Sequence, residues 1–181
     1  TAYKKIIHEK PDLSFNRLFV SWGPESTEGA YYVPEDNTLF LKGKFGVETD
    51  EFDRHLVIHE WGHYFEDNLS RSDSMGGKHE IGDKKDISLS FGEGFATALA
   101  AMVFEPDAIY VDTMWWEGME YGFTMNVEED SHVSDLYPGW FSEASVQQIL
   151  YDICDQGSDG VVEDHDKLSL GIGPVIDIMT G

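Results

Sequence analysis

The chain has 181 residues, 41% of them hydrophobic, and a formal net charge of −23 from 35 acidic and 12 basic residues. That length fits a single domain, residues 1–181, with enough apolar material for a buried core. The charge argues against nucleic acid and anionic membranes as partners, since both need clustered Lys and Arg; an acidic solvated surface or bound cations remain as readings.

In chain order, Leu18–Ser21 and Ala30–Val33 are short apolar runs near Gly and Pro and read as strands. Asn37 turns the chain into a third strand, Thr38–Lys42, which makes the first third β. Glu48-Thr-Asp-Glu-Phe-Asp53 reads as a helix start, with Thr49 or Asp50 as the cap and acids at the positive helix end. This helix is expected to run through about Asn68. Residues 70–86 are polar and Gly-rich, hence a loop. A second helix is predicted over 88–104, with Phe91, Phe95, Leu99 and Met102 at helical spacing and Pro106 beyond its end. The aromatic segment 105–141 shows no clear period. A third helix is expected at Ser142–Ile153, then an acidic loop, Asp155–Asp166, and a short helix within Pro174–Met179. The loop's Asp155-Gln-Gly-Ser-Asp159-Gly160 fails the EF-hand spacing, because position 166 is Asp rather than Glu. The apolar runs fall short of the roughly 18–20 residues of a membrane span, and no N-terminal stretch reads as a signal peptide. Cys154 alone permits neither an internal disulfide nor a Cys-rich zinc site. The chain begins at Thr1, as expected of a processed protein or an excerpt of a longer one.

His59-Glu60-Trp61-Gly62-His63 is an H-E-x-x-H pattern. With 7 His and 17 Glu in 181 residues, chance supplies only about 0.03 such matches. It falls within the first expected helix, after the apolar Leu56-Val57-Ile58. Residues four apart share a helix face, so both imidazoles can converge on one ion, and zinc accepts such nitrogens at about 2.0–2.1 Å. Glu60 is offset from that face, where its carboxylate can act as general base on water activated by zinc, taking a proton and returning it to the leaving amine. His55, one turn earlier, reads as a packing or surface residue.

A catalytic zinc takes three protein ligands and keeps an open position. The metzincin spacing fails, since positions 66 and 69 are Glu66 and Leu69 rather than Gly and His. The third-ligand candidate is Glu93, in Ser90-Phe-Gly-Glu93-Gly-Phe-Ala-Thr97 on the second helix. Flanking Gly92 and Gly94 suggest close backbone approach, as in packing against the His helix. The competing reading is a capping box with Ser90 as N-cap and Glu93 at N3. His79, Asp83 and Asp86 are rival ligands. Asp67, one turn past His63, and Thr97, one turn past Glu93, are placed to orient the imidazoles.

Three stretches together resemble the gluzincin metallopeptidases, and within them the fungalysin-type enzymes. They are His59-Glu-Trp-Gly-His63 followed by Leu69-Ser70-Arg71; Gly92-Glu93-Gly94-Phe95; and Ser142-Glu143 before Ile149-Leu150-Tyr151-Asp152. The resemblance spans about Phe52–Met179. It implies an α+β, zincin-like core with a small N-terminal sheet and active-site helices, one catalytic Zn2+, peptide or protein substrates cleaved internally, and an extracellular, cell-surface or periplasmic bacterial setting. One position departs. The family carries an oxyanion-stabilising His about four residues before the Glu matching Glu143, and Gly139 stands there. Tyr137, Tyr121 and His132 are the replacement donors considered. Similar His-Glu-Trp-Gly-His stretches occur in large bacterial surface proteins, and that resemblance implies the alternative: a metal-containing, adhesin-type binding module with little catalysis. Zinc hydrolysis of a non-peptide amide is a third reading. The aromatic segment 110–141 reads as core or as a wall for apolar side chains.

Overall fold

Burial decides the centre of the structure, a computed structural model that describes residues 1–106, 108–113, 122–128, 137–155 and 168–181. Its core is built on helix α3 (Ile87–Phe104), of which Phe95, Ala98, Leu99 and Met102 are fully buried. Asp86 caps α3, its carboxylate accepting from the Ser88 N–H at 3.0 Å. The expected stripe is present, but burial extends around almost the whole helix because α3 is enclosed by α2 (Arg54–Leu69) on one side and α4 (Glu143–Cys154) on another. By length and composition alone α3 is long and apolar enough to cross a membrane. Most of it is buried inside the protein, as a core helix requires.

Helix α2 starts later than expected. Asp50–Phe52 forms a 3-10 turn, the chain breaks at Asp53, and the α-helix begins at Arg54. Thr49 and Asp50 are therefore not its caps. Asp50 instead accepts from the Lys42 N–H at 2.7 Å and anchors the preceding loop.

The N-terminal sheet contains β1 (Phe19–Ser21), β2 (Tyr31–Val33) and β3 (Thr38–Phe40), in the order β1-β3-β2. β1 runs parallel and β2 antiparallel to β3, with Tyr32 opposite Leu39. A 3-10 turn, Pro34–Asp36, and Asn37 at φ 53° reverse the chain between β2 and β3; Asn tolerates that left-handed conformation better than most residues. The Tyr32 hydroxyl donates to Asp67 Oδ2 at 2.9 Å, and Asn68 donates to Asn37 Oδ1 at 2.8 Å. These contacts fasten β2 to the C-terminal half of α2.

One helix and one pair of strands lie outside the elements expected from the sequence. Helix α1 (Ala2–Glu9) is short and amphipathic and buries Ala2 and Ile6 in the core. Strands β4 (Ile109–Thr113) and β5 (Gly122–Asn126) form an antiparallel hairpin within the aromatic segment. Helix α4 begins where expected, with Ser142 Oγ accepting from Ser145 N–H. The last helix, α5 (Ile172–Thr180), buries Val175 and Ile176. The architecture is α+β, as expected.

Candidate metal centre

The second and third turns of α2 carry His59 and His63 onto one face. Their Nε2 atoms lie 3.2 Å apart, with the rings edge to face at 87°. Glu93 projects from α3 and brings Oε2 to 3.2 Å from His59 Nε2 and 3.4 Å from His63 Nε2. Among the described residues, these three form the group whose donor atoms all lie within 4.8 Å of one another. Ligands about 2.0–2.1 Å from a tetrahedral zinc lie about 3.3–3.4 Å from one another, so the spacing fits that ion. The chemistry fits too: two imidazole lone pairs and a carboxylate oxygen repel unless a cation or protons lie between them.

Close helix packing makes the convergence possible. A Cβ at Gly62 would lie 2.9 Å from Ala96 Cα, so the glycine within the motif is where α2 meets α3 backbone to side-chain root. Of the flanking glycines, only Gly92 faces the His helix, through the Glu66 side chain of α2. Gly94 admits α4, with a Cβ there 2.7 Å from the Glu143 carbonyl oxygen, whereas Gly92 makes room for the Glu66 carboxylate. The capping-box reading of Ser90 and Glu93 fails, because α3 begins three residues before Ser90 and Ser90 is buried inside it.

Thr97, one turn past Glu93, has Oγ1 3.0 Å from His59 Nδ1. When Nδ1 donates to that hydroxyl, the Nε2 lone pair faces Glu93. Asp67 makes no such contact. It accepts from Tyr32 and Asn68 instead. His55 is buried between Phe104 and Tyr110, and its Nδ1 accepts from the Val111 N–H at 3.3 Å. Of the rival ligands, Asp86 caps α3 and Asp83 pairs with Lys85 at 3.6 Å. His79 lies beside the site, with Nε2 3.2 Å from Glu93 Oε1.

Glu60 is 6% exposed and lines the same cleft as His59, His63 and Glu93, a concavity of about 670 Å³. β2 and its flanks, residues 30–35, also line the cleft, and the loop after α2 adds Ser72, Ser74 and Met75. Nothing in the sequence marked β2 as a wall, since only its packing on α2 puts it there. Tyr137 is half exposed, with Lys84 Nζ 4.4 Å from its ring centroid, and is not among the cleft's lining residues. Tyr121 and His132 lie outside the described residues.

The electrostatics are strongly coupled. Burial pulls the His63 imidazole down, yet contact with Glu93 and the nearby Glu60 and Glu66 reverse this and leave it raised. Burial pushes Glu93 up, and the two imidazoles overcome it, holding the carboxyl well below the usual range. Contact with Glu143 raises His79 against burial. Glu66, whose carboxylate lies against Gly92, is pushed up to about 7, chiefly by burial.

No curated protein and no solved structure matches the chain significantly. The family model described as the Mycolysin C-terminal domain matches residues 7–170, a span that includes His59, Glu60, His63 and Glu93. That match supplies a metallopeptidase context, while the roles of individual residues rest on the geometry above. The chain belongs to the Mycolysin C-terminal domain family.

Proposed function

We propose that this domain is a zincin-like core that hydrolyses peptide bonds with Zn2+ held by His59, His63 and Glu93. The observation that carries this reading is the approach of Glu93 Oε2 to both imidazole Nε2 atoms, at 3.2 and 3.4 Å, in a cleft that Glu60 also lines. Zinc, when bound in such a site, supplies Lewis-acid chemistry that makes water a nucleophile near neutral pH and polarises a carbonyl. Glu60 is the proton carrier. Its carboxylate takes a proton from the attacking water and passes it to the amine that leaves. Thr97 Oγ1, 3.0 Å from His59 Nδ1, can accept the Nδ1–H and so leave Nε2 free for the ion.

The cleft favours an extended chain as substrate. β2 is the terminal strand in the order β1-β3-β2, and residues 30–34 line the cleft beside the histidines. A sheet edge of this kind can pair with a peptide backbone by strand addition. An extracellular setting accords with the family.

Gly139 favours the alternative of a metal-holding binding module. Its φ of 144° suits glycine, so this backbone would strain under the His that the fungalysin-type pattern carries there. Two measurements decide between the readings: zinc content of the reconstituted protein, and its rate of hydrolysis of an unfolded protein. One zinc per chain with cleavage that a chelator abolishes supports the peptidase. One zinc without cleavage supports the binding module, and absence of zinc binding rejects both.

A further inference from the structure

Glu93 presents its two carboxylate oxygens to different partners. Oε2 faces His59 and His63, while Oε1 lies 3.2 Å from His79 Nε2. His79 comes from the loop between α2 and α3. Its other ring nitrogen, Nδ1, lies 3.2 Å from Glu143 Oε2 at the start of α4. Glu143 in turn lies 3.9 Å from Lys85 Nζ, and the Lys85 N–H donates to the Phe141 carbonyl at 3.1 Å. Acid and base therefore alternate from Glu93 through His79 and Glu143 to Lys85, linking α3, the loop and α4. The side chains of Glu93, Glu143 and Lys85 are largely removed from water.

Both ring nitrogens of His79 face carboxylates, and His79 falls outside the group of converging donors among the described residues. This separates it from the ligands. A carboxylate oxygen that already accepts an N–H is a weaker metal donor, and the contact also fixes the rotation of the carboxylate. Partners of this kind orient metal ligands and sustain affinity. Resting on the zinc reading above, we propose that His79 is a positioning residue: it engages Glu93 Oε1 so that only Oε2 is offered to the metal, and Glu143 holds the His79 ring in place for this.

The test is titration of Co2+ into chelator-stripped wild type, His79→Ala, His79→Gln and Glu143→Gln, read by visible absorption, with circular dichroism to confirm folding. Wild type is expected to bind one cobalt. His79→Ala should bind about 10–100-fold more weakly, with an altered absorption band as the carboxylate changes its mode. His79→Gln, whose amide can still donate to Oε1, should recover most of the affinity and the band. Glu143→Gln should shift both in the direction of His79→Ala. Wild-type affinity and spectrum in His79→Ala would overturn the positioning role and leave the zinc reading intact. A loss far beyond that range, unrelieved by Gln, would make His79 a ligand and also overturn it. A wild type that binds no cobalt would reject the metal site itself.

Discussion

Thr97 Oγ1 lies 3.0 Å from His59 Nδ1, while the opposite nitrogen of the same ring lies 3.2 Å from Glu93 Oε2. Thr97 and Glu93 are one turn apart on α3, so a single helix face brings both the hydroxyl and the carboxylate to this imidazole. Thr97→Val keeps the shape and removes the hydroxyl. Zinc affinity, measured by competition with a chelator, should fall by about 10–100-fold, and Thr97→Ser should restore most of it. Equal affinities in wild type and Thr97→Val would show that the contact does not orient the ring.

Glu60→Gln should leave zinc content unchanged, because Glu60 stands outside the converging donors. Hydrolysis of an unfolded protein should drop by about 10²–10⁴-fold, the usual cost of losing a general base. Unchanged turnover would remove Glu60 from the chemistry.

Glu93→Ala should sharply reduce zinc affinity and shrink the thermal stabilisation that zinc confers, since metal binding to the native state is linked to folding. The competing outcome was a lost helix cap with affinity untouched, and the start of α3 at Ile87 has removed its structural basis. Zinc titration of stripped wild type and variant, followed by melting with and without zinc, checks both effects.

Gly62→Ala tests the helix approach that assembles the site. In an open helix the change should stabilise by about 1 kcal/mol. Here the added methyl would meet Ala96 Cα at 2.9 Å, and overpacking of this sort costs about 1–3 kcal/mol. Denaturant unfolding should therefore show a net loss, with weakened zinc binding. A more stable variant would mean that α2 and α3 separate freely.

Asp112, outside the His59–His63–Glu93 group, gives a separate pH dependence. Burial, with Asp53, Glu48 and Asp50 nearby, raises its pKa from 3.8 to about 7. The folded state thus holds this proton more tightly than the unfolded chain. The group's contribution is most favourable below pH 3.8, declines as pH rises, and is lost above about 7. Asp112→Asn removes that dependence. Its melting temperature relative to wild type should climb from acid towards pH 7 and then level off. A constant difference across the range would show that Asp112 titrates normally.

Local pattern accounts for much of this protein. The 3.6-residue period over Phe91–Met102 specifies α3, and i, i+4 spacing alone puts His59 and His63 on one face. The three short strands and the Asn37 turn were equally legible, because short apolar runs and turn chemistry act within a few residues. The helix boundary at Arg54 was not, since Asp50 is drawn off by the Lys42 N–H rather than serving α2. The β4–β5 hairpin was hidden because its two strands are eight residues apart and their partners are set by pairing, not by period.

The site itself divides along the same line. The H-E-x-x-H spacing determined two histidines and a carboxylate, and the segment around Glu93 supplied the third donor. Only the tertiary structure decided that Thr97 rather than Asp67 meets an imidazole, that Gly62 packs against Ala96 of α3, that β2 lines the cleft, and that His79 reaches Glu93 and Glu143 together. Each of these depends on residues far apart in the chain, brought to contact distance by the packing of α2 and α4 around α3. Spacing along one helix fixes which side chains share a face; what that face meets is settled by the other elements that bury it.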